Sequence, residues 1–478
     1  MFKLNKYLPK IILFIILTLS VYIYTYSIKF IPLDGDELFT LNIANMNSIF
    51  DVIKIGNIND THPPLYHLLL FIFVQFAGVT ETTIRLLSSI FGTLSILSVY
   101  ILAKKMFSEK EGLISASIML FIWSLTIVNQ YARGYALLLF LSILTMIFLY
   151  DIIDRFGQQK NIKKSLLFYI ISATLCIYTH YFGLLLIFVE FLFLISIRFK
   201  YIKQILMVCF FIFLLYLPWI FFIHTRYIKT VYPDFIQWLG WNVFGGYENI
   251  FLLPLLCLFP FIFIIYKKLS DKYRLFDFIN IYKSEIMLIV LATVPFIIVW
   301  ISDKFFFKCY NNRYMIISIA PYYILVARGI VLIFRNFIFI SIFTLCLLIG
   351  MSFHFIISHI QHLTGAYSDQ PVTALMDIKN HYGKYLNSYL LLENANYFDY
   401  HLKKYCKEIP EDKIKIINHM EQDSKIKIMN FITQQKPQYI WLIDSLKKEH
   451  YLILNNTYKQ IYINSYKNWD VYLFKKTD

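Results

Sequence analysis

The sequence predicts a polytopic α-helical membrane protein with a small α/β domain at its C-terminal end. Three observations predict it. Of 478 residues, 58% are hydrophobic and 16% are charged, whereas soluble domains are about 45–50% apolar and about 25% charged. Apolar runs of roughly 17–20 residues, long enough to cross a bilayer, recur from Ile11 to about residue 356. From about Ser358 polar residues dominate, and short runs replace the long ones.

The first element is the apolar run from Ile11 to about Ile28, preceded by Lys3, Lys6 and Lys10. It is too long for a signal-peptide core and has no small-residue cleavage site. It reads as a retained helix with its N-terminus in the cytoplasm, which puts the polar loop 31–62 outside. The run Pro63–Gly78 is ambiguous, and the later loops decide it by charge. Loops containing Lys104, Lys105, Arg155, Lys164, Arg198, Lys267, Lys283, Arg328 and their neighbours hold far more lysine and arginine than the alternate loops. The positive-inside rule assigns the rich set to the cytoplasm. The two assignments agree only if Pro63–Gly78 does not cross, so it is expected to lie against the outer face as a juxtamembrane or re-entrant helix. The later spans are then expected near 84–103, 112–129, 134–152, 165–180, 182–198, 204–223, 249–266, 286–302, 314–333 and 336–356. With the first helix they make about 11 membrane-spanning helices. The predicted membrane domain is 1–357, with its first outer loop at 31–83, and 358–478 lies outside the cytoplasm. In that last region β-type runs at Tyr389–Leu392, Ile414–Ile417, Tyr439–Ile443, Ile461–Asn464 and Val471–Phe474 alternate with helical stretches, the pattern of an α/β domain.

The formal net charge of +15 follows from the topological lysines and arginines and gives no reason to expect nucleic acid. The six cysteines, among them Cys176, Cys209 and Cys309, have no metal or disulfide spacing. They read as small buried residues.

Polar residues of chemical interest gather on the outward side. They include Asp34, Asp36, Glu37, Asp60, His62, His67, Arg133, Tyr135, His180, Tyr181, Arg226, Arg313 and Tyr314. Ionisable groups beside a membrane are costly and usually have a task. Several have structural readings. Asp34 suits an N-cap, Asp36 and Glu37 a helix first turn, and His62-Pro63-Pro64 a rigid turn. Arg133 with its tyrosines, and the pair His180-Tyr181, suit an interfacial anchor. Transfer chemistry outside the cytoplasm has no ATP to draw on, which leaves a lipid-linked phosphosugar as the activated donor. Such a reaction needs a carboxylate to take a hydroxyl proton and cations to hold a leaving phosphate. Asp36, Glu37 and His62 are also the oxygen and nitrogen donors a divalent cation would use.

Several blocks in order carry a family resemblance: Asp36-Glu37, THPPLYHLLLFIF, GVTETTIRLLSSIFGTLSILSVYILAKKMF, NQYARGYALLLFLSIL, YTHYFGLLLI and NNRYMIISIAPYYILVARG. Over about residues 10–335 the chain resembles the GT-C membrane glycosyltransferases of the family-39 type, related to protein O-mannosyltransferases and aminoarabinose transferases. The resemblance implies inverting sugar transfer from a polyprenyl-phosphate donor to an envelope glycan, lipid or protein at the outer face of the cell membrane. It implies Asp36 as the catalytic carboxylate and Glu37 as its neighbour. It implies His62, Arg133, Tyr135, His180, Tyr181, Arg313 and Tyr314 as groups around the donor phosphate and substrate. Two positions depart from the pattern: Tyr131 stands where relatives carry an acid, and His62 where relatives carry a lysine. The competing expectations are a lipid-linked glycan flippase, which would need polar residues along helix centres, and an envelope polymerase or ligase using similar donors.

Overall fold

The structure, a computed structural model of the chain, describes residues 2–220 apart from positions 27, 29, 30, 61, 159 and 160. It also describes most of 260–334, scattered positions between 342 and 350, and most of 371–476. Arg226 and most of the expected spans 249–266 and 336–356 lie outside the described residues.

The chain divides into two compact units, one of residues 1–30 and 39–356 and one of residues 31–38 and 357–478. The first is a bundle. Its helices are α1 (Phe2–Tyr26), α2 (Gly35–Ala44, begun in the second unit), α3 (Ile49–Asn59), α4 (Leu65–Ala77) and α5 (Glu81–Met106). There follow α6 (Glu109–Leu120), α7 (Trp123–Gln130), α8 (Tyr135–Gly157), α9 (Lys163–Thr179), α10 (Tyr181–Arg198) and α11 (Ile202–Ile220). After α12 (Leu275–Ile281) and α13 (Lys283–Phe305), a 3-10 helix, Asn312–Ser318, leads into α14 (Ile319–Ile333). Among the described residues, six helical stretches are long and apolar enough to cross a membrane, or seven if the α6–α7 pair is one broken span.

Three local features shape this unit. The run expected as one span at 112–129 breaks by 70° between α6 and α7, where no proline or glycine announces it. The apolar stretch Tyr181–Ile220 is 40 residues long, about twice a span at 1.5 Å per residue, and it doubles back at the 3-10 turn Phe199–Tyr201. The hydroxyl of Tyr178 donates to the Leu215 carbonyl at 3.0 Å, and its ring lies 5.2 Å from that of Tyr216. The ends of α9 and α11 are therefore neighbours, and the two helices run parallel. Finally, α4 has 13 residues, about 20 Å of helix, which is short of the roughly 30 Å hydrocarbon core. A helix of that length therefore stands at the run Pro63–Gly78.

The end of α1 shows how a bundle satisfies backbone carbonyls that a helix C-terminus leaves unpaired. Gln130 donates to the Ile23 carbonyl, Ser89 to that of Tyr24 and Arg85 to that of Ile28, at 2.9, 3.0 and 2.8 Å. Away from water each orphan would cost several kcal/mol, so α5 and α7 are fastened to α1 there.

In the second unit a five-stranded sheet has the order β2-β1-β3-β5-β4. Its strands are β1 (Ser388–Glu393), β2 (Ile414–Ile417), β3 (Tyr439–Ser445), β4 (Tyr458–Ser465) and β5 (Trp469–Lys476). β1 pairs in parallel with β2 and β3, while β5 pairs antiparallel with β3 and β4. All five strands coincide with the β-type runs of the sequence. Alternate residues feed two cores. Leu390, Trp441, Ile443 and Leu473 pack beneath α15 (Pro371–Tyr382), and Leu391, Ile440, Leu442 and Phe474 beneath α16 (Ser424–Gln435).

Candidate active site

The block after α3 builds the core of the site. Asp60 follows α3, and the Pro63-Pro64 pair fixes the turn that starts α4, with Pro64 as its N-cap. In the first turn of α4, Tyr66 and His67 are buried. The Tyr66 hydroxyl lies 2.8 Å from that of Ser88 on α5, and the Ser88 hydroxyl in turn donates to the Arg133 carbonyl at 3.3 Å. Gly134 follows, and a Cβ there would come within 3.3 Å of Tyr66 and 3.4 Å of Thr179. The glycine lets the Arg133 turn seat against α4 and the end of α9.

This packing delivers three donors to one carboxylate. His67 Nε2 is 2.8 Å from Asp60 Oδ2, Arg133 is 3.1 Å from Oδ1, and His62 Nδ1 is 3.4 Å from Oδ1. The His62 backbone N–H also donates to Oδ1 at 3.2 Å. The Asp60 side chain is 3% exposed. Burial pushes its pKa up, but the hydrogen bonds from His62 and His67 and the charge of Arg133 outweigh that and hold it well below the usual carboxylate range. For His67 burial dominates and keeps the ring uncharged more readily than usual, against the pull of Asp60.

Beside this cluster stands a group of rings. The His62 ring lies 4.4 Å edge-on from His180, 5.6 Å from Tyr314 and 6.2 Å from Tyr135. His180 is 4.5 Å from Tyr314, and Phe182 is 5.1 Å from Tyr314. His180 is also the N-cap of α10, accepting the Phe182 backbone N–H at its Nδ1 at 3.0 Å. In a neutral ring the proton then sits on Nε2. That atom is buried and has no hydrogen-bond partner among the described residues. Burial first, then the neighbouring His62 and Arg133, push the His180 pKa well down.

The sequence-expected residues thus divide. His62, Arg133, Tyr135, His180 and Tyr314 come together. Tyr181 stands exposed in the first turn of α10, outside the ring group. Arg313 is exposed, with its guanidinium 4.7 Å over the Tyr131 ring. Asp36 and Glu37 form the first turn of α2. Glu37 accepts from the Asp34 backbone N–H at 3.4 Å while Asp34 accepts from that of Glu37 at 2.9 Å. Asp34 is therefore the cap the sequence suggested, in a reciprocal capping box, and Asp36 is left solvent-exposed. Further along α2, Phe39 lies 5.9 Å from both the His67 ring and the Arg133 guanidinium. No group of three histidine, cysteine or acidic side chains among the described residues is arranged to hold a metal ion. The cation considered for Asp36, Glu37 and His62 has no such group to bind to there.

Sequence reasoning grouped Asp60 and His67 with the other candidate residues but did not select them. A signal was available: Asp60, His62 and His67 fall within eight residues around the Pro63-Pro64 turn that starts α4.

Residues 61–222 match the sequence model of the family described as dolichyl-phosphate-mannose-protein mannosyltransferase. That segment contains His62, His67, Arg133, Tyr135 and His180. No curated protein matches the sequence. Among solved structures, ArnT from Cupriavidus metallidurans in the apo state is similar with a TM-score of 0.60 at 13% identity, covering 96% of this chain and 97% of that one. ArnT bound to undecaprenyl phosphate gives 0.58 at 12%, with the same coverage. The archaeal oligosaccharyltransferase AglB from Archaeoglobus fulgidus, in complex with an inhibitory peptide and a dolichol-phosphate, gives 0.51 at 12%, covering 98% of this chain and 74% of that one. The chain therefore shares its fold with these structures over nearly its full length, and residues 61–222 carry the match to the mannosyltransferase family model.

Proposed function

We propose that the protein transfers a sugar from a polyprenyl-phosphate carrier to an envelope glycan, lipid or protein at the outer face of the membrane, with inversion. The observation that carries this reading is the buried Asp60 held by His62, His67 and Arg133 beside the ring group of Tyr135, His180 and Tyr314. It is a desolvated, preorganised polar cluster within the family-matched segment, except for Asp60, one residue before it, and Tyr314, which lies beyond it. Asp60 cannot be the base, since its oxygens are already occupied by cationic and imidazole donors. Asp36, solvent-exposed at the start of α2 and the residue to which the sequence resemblance gives the role of catalytic carboxylate, takes the acceptor hydroxyl proton. The hydroxyl oxygen forms a bond to the anomeric carbon as the carbon–phosphate-oxygen bond breaks, and the phosphate leaves with the electron pair. Arg313 supplies charge to that phosphate, for which its guanidinium offers a bidentate fork. Reconstituted protein with labelled polyprenyl-phosphate sugar tests this. Asp36→Asn is expected to cut transfer by about 10²–10⁴-fold, the range of a lost general base, with the fold intact. Undiminished transfer by that variant would overturn the assignment.

A further inference from the structure

The turn that carries Asp36 belongs to the sheet domain rather than to the bundle, since residues 31–38 group with 357–478 as one compact unit. α2 begins at Gly35, and the Leu38 N–H donates to the Asp34 carbonyl at 2.9 Å. The Leu33 carbonyl therefore lies one residue outside the helix, which cannot satisfy it. Leu33 is 1% exposed, so water hardly reaches it, and a buried carbonyl needs a partner from elsewhere in the fold.

His401, 368 residues further along the chain, is that partner. Its Nε2 lies 3.1 Å from the Leu33 carbonyl oxygen. A carbonyl only accepts, so this nitrogen carries a proton and donates it. The donor is firmly mounted. His401 is fully buried in a helical turn over residues 400–404. Its neighbour Leu402 packs in the core with Leu375, Leu390 and Trp441. One turn on, the Cys406 thiol donates to the Leu375 carbonyl at 3.6 Å. A rigid path thus runs from the sheet core through the His401 ring to Leu33, and only Asp34 and Gly35 separate Leu33 from Asp36. On the other side, the reciprocal bonds of Asp34 and Glu37 hold the same turn as a helix start. The backbone at Asp36 is held from both sides, while its side chain is exposed.

We propose that His401 is a positioning residue for the transfer reaction: by holding the Leu33 carbonyl it sets where Asp36 presents its carboxylate. This rests on the reading of Asp36 as the base. A general base must stand within about 2.6–3.2 Å of the proton it takes, and a displacement of about 1 Å costs on the order of 10²-fold in rate. His401 acts through the backbone, and the domain that carries the sheet also carries the base.

The test is steady-state transfer in nanodiscs, with radiolabelled undecaprenyl-phosphate mannose as donor and a total envelope extract as acceptor, per folded molecule. Wild type is compared with His401→Phe, His401→Gln, Asp36→Asn and the double variant of His401→Phe with Asp36→Asn. Phenylalanine keeps the ring and removes the donor. Glutamine keeps an N–H at about the same reach. His401→Phe is expected to lower kcat by about 10–10²-fold with the carrier KM unchanged, and His401→Gln to stay within a few-fold of wild type. In the Asp36→Asn background His401→Phe is expected to add no further loss, because the group it positions is already gone. Wild-type kcat in His401→Phe would overturn the inference. So would equal loss in His401→Gln, or a full further loss in the double variant. His401→Met, which fills the space adaptably without a donor, takes the place of His401→Phe if that variant does not fold. If neither folds, His401→Gln carries the test alone, and a tenfold fall in its kcat overturns the inference. Undiminished transfer by Asp36→Asn, or none by wild type, would instead defeat the reading on which this inference rests.

Discussion

The two ends of the helix bundle use the same residue types to opposite effect. At one end, Lys105 pairs with Asp151 at 2.6 Å and Lys283 with Asp154 at 2.5 Å. There Arg328 bridges Glu111 and Glu285 at 2.9 and 3.1 Å, and Arg198 holds the Ile153 carbonyl and the Asn280 side chain. Each pair joins helices that are distant in sequence, and most of the lysines and arginines are partly exposed. At the other end, Asp60 is buried and shared by three donors, and a ring group holds a donor with no protein partner among the described residues. One end is closed on itself. The other has its carboxylate satisfied but keeps hydrogen-bonding capacity in reserve. That reserve, rather than the number of charges, distinguishes a site from a clasp.

Breaking the comparison at its strongest point means removing the shared anion. Asp60→Asn removes the carboxylate charge that pairs with the buried Arg133, and a loss of about 3–5 kcal/mol in unfolding free energy is expected, read by denaturant titration in detergent. At the other end Arg328→Ala strands Glu111 and Glu285. Glu111 and Glu285 are 1% and 6% exposed but Arg328 itself is 23% exposed, so water can enter the space its side chain leaves, and a smaller loss of about 1.5–3 kcal/mol is expected. Arg328→Lys should recover only part of it, because lysine lacks the guanidinium fork.

The gentlest probe is pH. His67 and His180 both titrate below their ordinary value in the fold, mainly because burial disfavours the charged ring. A histidine whose folded value lies below its unfolded one costs nothing above the unfolded pKa, about 6.5. As the pH falls below that, the unfolded chain takes up protons first and stability drops. At pH 5.5 each ring contributes a loss of at most about 1.4 kcal/mol, one pKa unit. Asp60, whose folded value is depressed, holds its contribution above the ordinary carboxylate pKa of about 3.9 and loses it as the pH falls further. The melting temperature should therefore decline in two stages, near pH 6 and again below pH 4. His180→Asn should flatten part of the first stage, and a single acid transition near pH 4 would contradict the histidine assignment.

Much of this organisation is legible in the sequence because it rests on local rules. Apolar run length marks the helices, and alternation marks the strands, down to the hairpin of Tyr458–Ser465 with Trp469–Lys476. What escapes is the part set by packing. The break after Leu120 has no proline to mark it. Asp60 resembles any turn acid until α4 folds back and brings His67 to it. His180 resembles an interfacial histidine until the cap on α10 fixes its tautomer and Tyr314, more than a hundred residues on, closes the ring group. Single-sequence reading finds such groups by side and by type, and the fold selects among them.

The contrast between the ends is tested most directly by transfer of label from a polyprenyl-phosphate sugar, measured per folded molecule for wild type, Asp60→Asn and Arg328→Ala side by side. The expected result is transfer lost in Asp60→Asn beyond its loss of folded protein and retained per folded molecule in Arg328→Ala. Normal transfer by folded Asp60→Asn, or equal loss in both variants, would contradict the assignment of chemistry to that end.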